Sequence, residues 1–176
     1  MRHALGDAIE QLRAVARDVA WVTPANLHLT LKFLGAVPET GIDAVIRALT
    51  EASLDASAFE ARIRGLGAFP SVGRPRVLWA GVTDGASQVT DLARRVDAAL
   101  AAFGFAPEDR PFSPHVTLGR VRQPGRNPAL AAALGSAAAR EFGGIRVPSA
   151  SLMQSQLGPR GARYTELAKV TLGRPV

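Results

Sequence analysis

The chain has 176 residues, 47% of them hydrophobic and 20% charged, with a net charge of +6. That length holds one domain with a real core or two small lobes, and the absence of cysteine excludes disulfides, thiolate metal sites and thiol nucleophiles. No long apolar run marks a leader or a membrane span, so a cytoplasmic protein is expected, and scattered arginines favour an anionic partner such as nucleic acid.

In chain order, Leu5, Ile9, Leu12, Ala16 and Val19 recur at three- and four-residue steps and predict an amphipathic helix over 5–17. Ala20-Trp21-Val22 reads as a short strand, turned by Thr23-Pro24-Ala25-Asn26 into a second strand over 27–34. Pro38 and Glu39 open a helix carrying Ile42, Val45, Ile46 and Leu49 on one side. Phe59, Ala61 and Ile63 alternate with charged residues, as in a half-exposed strand. A Gly/Pro-rich loop leads to a buried strand at 77–82. Val89, Leu92, Val96, Leu100 and Phe103 predict a helix stopped at Gly104. A strand is expected at 114–118, a short helix at 128–139, and strands at 145–147, 150–156 and 164–171.

Two of these strands share one pattern. His28-Leu29-Thr30-Leu31 and His115-Val116-Thr117-Leu118 stand 87 positions apart and use two of the three histidines in the chain. Strand side chains alternate faces, so His28 and Thr30 project together while Leu29 and Leu31 point inward. The same parity sets His115 beside Thr117 over Val116 and Leu118. One strand histidine beside a threonine is ordinarily a solvent-facing residue; the repeat singles this pair out. Its spacing, about half the chain, suggests an internal duplication. The fold expected is α+β: a single domain over 1–176 of two pseudo-symmetric lobes. Each lobe is an antiparallel sheet with helices on its outer face and one motif strand, and the site lies in the cleft between them.

The residue types point to phosphoester chemistry. Cleaving a phosphodiester needs a base for the incoming oxygen, an acid for the leaving oxygen and donors for the phosphoryl oxygens. Two imidazoles, which titrate near neutral pH, can share the first two tasks. Thr30 and Thr117 can donate hydrogen bonds to the non-bridging oxygens. A strained cyclic phosphate suits this equipment, whereas an unstrained diester more often calls for a metal pair. No cluster of carboxylates lies beside the motifs in the sequence, and no metal is expected.

The longer stretches around the motifs carry a resemblance. Trp21 to Gly35, Gly67-Ala68-Phe69-Pro70, Val77 to Gly81, Arg110 to Arg120 and a C-terminal segment with Ser155-Gln156-Leu157, Gly161, Tyr164-Thr165 and Leu167 supply it. Together they resemble the 2H phosphoesterase superfamily, in its RNA 2′,3′-cyclic phosphodiesterase (2′–5′ RNA ligase-like) branch. The resemblance implies hydrolysis of a terminal RNA 2′,3′-cyclic phosphate to a 2′-phosphomonoester. It gives His28 the role of proton donor to the departing 3′ oxygen, His115 that of the base for water, and Thr30 and Thr117 the phosphate. It also implies no metal or organic cofactor. The expected partners are RNA ends or nucleotides with a cyclic phosphate and no membrane, and the protein is expected to be a monomer. End joining, RNA-end binding, or action on a small cyclic nucleotide are the alternatives.

Relatives of this kind usually begin with a strand before the first helix, and here the chain enters the helix almost at once, so that strand is expected to be missing. Three further substrate contacts are candidates. Lys32 shares the strand face of His28 and Thr30. Arg120 suits phosphate but has the wrong parity unless its strand bulges. Tyr164 can stack on a base. Phe33 could do so too, but parity assigns it to the core, along with Trp21 and Trp79; His3 is expected at the surface.

Overall fold

The computed structural model describes residues 1–158 and 161–173. Its elements in chain order are α1 (Arg2–Arg13), β1 (Val19–Trp21), α2 (Ile42–Leu54), β2 (Phe59–Phe69), β3 (Val77–Val82), α3 (Ala86–Ala101), β4 (His115–Val121), α4 (Pro128–Ser136), β5 (Glu141–Val147), β6 (Ser149–Gly158) and β7 (Gly161–Thr171). Helices and antiparallel strands mix along the chain, and the fold is α+β. No helix among the described residues is long and apolar enough to cross a membrane.

The chain divides into two compact units. The first contains residues 1–29, 61–84 and 114–145. Its sheet runs β1-β4-β3-β2-β5, with β1–β4, β4–β3 and β3–β2 antiparallel. Alternation buries one face: Ala61, Ile63, Leu78, Ala80, Val116 and Leu118 form a core with Leu5, Ala8, Ile9 and Leu12 of α1 and Leu130 and Leu134 of α4. Both helices therefore cover the same face. The opposite face of β4 and β3 is left to His115, Thr117 and Trp79.

The second unit contains residues 30–60, 85–113 and the described residues from Arg146 onward. Its strands β6 and β7 form a two-stranded antiparallel ribbon. Ala150 and Leu172 share a core with Val45, Ala48, Leu49 and Ala52 of α2 and Leu92, Val96 and Leu100 of α3. With five strands in one unit's sheet and two in the other, the described sheets are less alike than pseudo-symmetry implies.

Three local expectations need correction. Helix α1 spans Arg2–Arg13, not 5–17, because Ala16 and Val19 are buried from the following turn and strand. A short 3₁₀ turn, Glu39–Gly41, precedes α2, which starts at Ile42. The first motif is not a strand over 27–34. It makes a single antiparallel bridge, Leu29 to Val116, and the backbone bends at Leu31.

Candidate active site

The Leu29–Val116 bridge determines the geometry of the site. Val116 is held between Leu29 on one side and Ala80 of β3 on the other. Carrying the antiparallel register one residue along sets His28 opposite Thr117. Side chains so opposed have Cβ atoms about 5 Å apart, and diagonal neighbours lie about 7 Å apart. His115 is that diagonal neighbour of His28. Val116 is buried, so alternation turns His28, His115 and Thr117 to the face away from the helices. Both motif histidines thus belong to the first unit, not one to each lobe. Two imidazoles flank a spot of about the span a phosphoryl group needs, with the Thr117 hydroxyl on the same face.

Each imidazole is oriented by its surroundings. Nδ1 of His28 donates to the Asn26 carbonyl at 2.7 Å, since a carbonyl can only accept. That fixes the neutral tautomer, with the lone pair on Nε2, and makes Nε2 the nitrogen that exchanges a proton with a ligand. The Pro24–Asn26 3₁₀ turn brings this carbonyl two residues before the histidine. His115 is half-buried at the start of β4, opposite Gly81 of β3. The Phe69 ring meets it edge-on, centroids 5.1 Å apart.

Arg120 satisfies the condition that parity imposed. Thr117 pairs with Trp79 and Gly119 with Leu78, so Leu118 is an extra residue in β4. Past this bulge Arg120 pairs with Val77, two positions from Trp79, and returns to the face of His115 and Thr117. The arginine is exposed there.

The remaining candidates fall elsewhere. Thr30 is exposed and follows Leu29 directly; the second unit begins with it. Lys32 does not share the face of His28 and Thr30. The bend at Leu31 reverses the alternation, and the Lys32 side chain, 4% exposed, turns inward to the Asp97 carboxylate of α3 and donates to the Ala106 carbonyl at 2.7 Å. The same reversal brings Phe33 out to 78% exposure, where parity had assigned it to the core. Tyr164 is half-buried on β7 opposite Ser155, within the second unit. Trp21 and Trp79 are partly buried in the first unit, their indole nitrogens enclosed.

A family model described as the 2′-5′ RNA ligase superfamily matches residues 2–158. The chain belongs to that superfamily, the 2H phosphoesterases. It is 40% identical over 154 residues to an RNA 2′,3′-cyclic phosphodiesterase of Aquifex aeolicus, covering 87% of this chain and 81% of the relative. It is 37% identical over 158 residues to a protein of the same name from Methanothermobacter thermautotrophicus, covering 90% and 85%. Among solved structures it resembles TT0787 of Thermus thermophilus, with a TM-score of 0.80 and 32% identity over 98% of this chain and 92% of that one.

Within this superfamily member the sequence left two contributors to the site unnoticed. Phe69 was visible only as part of a matching stretch, and nothing in its own neighbourhood announced a ring against His115. Asp97, the partner of Lys32, sits one residue after buried Val96 on α3 and carries no motif. The bulge at Leu118 did leave a mark: Gly119, inside an otherwise apolar strand, is the kind of residue that accompanies one.

Proposed function

We propose that the protein hydrolyses the terminal 2′,3′-cyclic phosphate of RNA to a 2′-phosphomonoester by histidine acid–base catalysis without a metal. The observation that carries this reading is the Leu29–Val116 bridge, which makes His28 and His115 diagonal neighbours on one exposed sheet face. Among the described residues no group of three or more His, Asp and Glu stands together as a metal site. The names of the relatives point to the same substrate.

In this scheme neutral His115 takes a proton from water as the oxygen attacks phosphorus. The bond from phosphorus to the 3′ oxygen breaks, and protonated His28 delivers its Nε2 proton to that oxygen. The products are a free 3′ hydroxyl and a phosphate left on the 2′ oxygen. The histidines finish with their protonation exchanged and reset through solvent. Each positioned acid or base supplies about 10²–10⁴-fold. Thr117, Thr30 and Arg120 donate to the non-bridging oxygens, where charge accumulates. The cyclic substrate fits because ring strain has already lowered the barrier.

Product analysis on an oligonucleotide with a cyclic-phosphate end tests this reading. A 2′-phosphomonoester, formed at the same rate in excess EDTA, is expected. A 3′-phosphate product, or activity abolished by chelation and restored by a divalent ion, contradicts it. Tight RNA binding without turnover, or turnover confined to small cyclic nucleotides, replaces it with an end-binding or a small-nucleotide enzyme.

A further inference from the structure

The second unit contains a cavity of about 400 Å³, of the size that holds small ligands. Phe33, Leu34, Phe105, Glu108, Asp109 and Arg110 line it. Its walls are tied together. Lys32 bonds the Asp97 carboxylate and the Ala106 carbonyl, and Asp97 accepts from the Glu108 backbone N–H at 3.3 Å through each oxygen. This clasp joins the segment carrying Phe33 to the segment carrying Glu108, Asp109 and Arg110. It is also why Phe33 stands 78% exposed at the cavity, although strand parity would bury it.

The charge inside the cavity selects among ligands. The Lys32 ammonium is matched by Asp97, which leaves Arg110 against the carboxylates of Glu108 and Asp109. The balance is negative, which disfavours a phosphate. It suits an uncharged planar group with N–H donors for the carboxylates, an acceptor for Arg110 and a π face for Phe33. A nucleobase is such a group. Both walls continue the segments that hold the histidines: Phe33 lies five residues after His28, and Arg110 five before His115. The cavity therefore serves the part of a substrate next to the reacting end.

We propose that this cavity takes the base of the nucleotide preceding the cyclic-phosphate end, stacked on Phe33. The assignment rests on the RNA-end reading above. Three substrates test it: a cyclic mononucleotide, a dinucleotide ending in a cyclic phosphate, and the same dinucleotide with an abasic 5′ residue. In Phe33→Ala the kcat/KM for the dinucleotide, divided by that for the mononucleotide, should fall about tenfold, as expected for one lost stacking partner. Phe33→Trp should restore the ratio, and the abasic dinucleotide should behave alike with wild type and Phe33→Ala. A preserved ratio, or equal loss on all three substrates, overturns the assignment. If wild type turns over none of them, the RNA-end reading has failed. The cavity is then judged by anisotropy with a labelled dinucleotide carrying a 2′-phosphate: binding about tenfold tighter to wild type than to Phe33→Ala supports it, and equal binding overturns it.

Discussion

Phe69 presents itself edge-on to His115, with ring centroids 5.1 Å apart and planes at 82°. The phenyl ring comes from the end of β2 and also meets Trp79 at 5.3 Å. Trp79 in turn lies across Gly67: a Cβ there would come within 2.3 Å of the indole. A series of contacts therefore runs from a side-chain-free position on β2, through two aromatic rings, to the imidazole. It limits the directions in which His115 can point, as a proton acceptor requires.

Two variants of that series should separate orientation from stability. Phe69→Ala removes a half-buried ring, at a cost of about 3 kcal/mol, and should lower kcat more than it raises KM. Phe69→Tyr keeps the edge contact and should retain most of kcat. Gly67→Ala forces the Trp79 ring to move and should cost about 1–3 kcal/mol, the usual range for overpacking. Thermal melts alongside steady-state kinetics read both. A Phe69→Ala enzyme with unaltered kcat would mean that β4 alone orients His115.

The hydroxyls and Arg120 should differ in kind. Thr117→Val keeps shape and removes a donor from the face shared with His28 and His115; a lost donor of this type costs on the order of 10²-fold in kcat. Thr30→Val should do the same if its hydroxyl reaches the phosphoryl oxygens. Arg120→Ala should act mostly on KM, since an exposed guanidinium binds the charge of substrate and transition state alike. Single-turnover rates with saturating enzyme separate the two behaviours. Threonine variants with wild-type rates would leave phosphate binding to arginine alone.

Much of this was readable in the sequence, for identifiable reasons. The buried strand at Val77–Val82 and the second motif on β4 follow from apolar runs bounded by turn residues, and the structure contains both. The pairing of the two motifs was not readable. Which strand lies beside which depends on contacts between residues far apart in the chain, and a single bridge between Leu29 and Val116 decides it. Parity was trustworthy only where the backbone stays extended. It holds from Leu27 to Leu31, then fails at Lys32 and Phe33, because a buried ion pair with Asp97 draws the lysine inward. It fails again at Leu118, where the bulge returns Arg120 to the site face.

The Lys32–Asp97 pair gives a prediction with a defined pH window. The hydrogen bond from Lys32 is the main reason that the Asp97 carboxyl is held below its ordinary range; burial opposes the effect, and the Glu108 N–H adds to it. A carboxyl with a lowered folded pKa stabilises the fold fully above its unfolded value of about 3.9. That stabilisation is lost as pH falls through the folded value. Lys32→Met should therefore cost about 2 kcal/mol at neutral pH, in the direction expected for a half-broken buried pair. The gap in Tm to wild type should narrow as pH drops below about 4. A gap that is constant down to about pH 2, below both values, would mean that Lys32 stabilises through its aliphatic stem, not its charge.

The division of labour between the histidines is the most demanding test of the site. His28 must begin the cycle protonated and His115 neutral, so the rate should rise and then fall with pH. The two imidazoles are diagonal neighbours, so the apparent constants of the two limbs belong to the pair until each is assigned. His28→Ala and His115→Ala should each lower the rate by about 10²–10⁴-fold on natural ends. A cyclic phosphorothiolate with sulfur at the 3′ position has a leaving group that departs without a proton. It should recover much of the rate in His28→Ala and little in His115→Ala, because the second variant still lacks a base for water. The Asn26 carbonyl, which holds Nδ1 of His28 at 2.7 Å, adds an internal control. His28→Gln keeps a hydrogen-bonding side chain but supplies no titrating acid, so it should be rescued by sulfur as His28→Ala is. Equal rescue of the His28 and His115 variants, or rescue of His115→Ala alone, would reverse the assignment of acid and base.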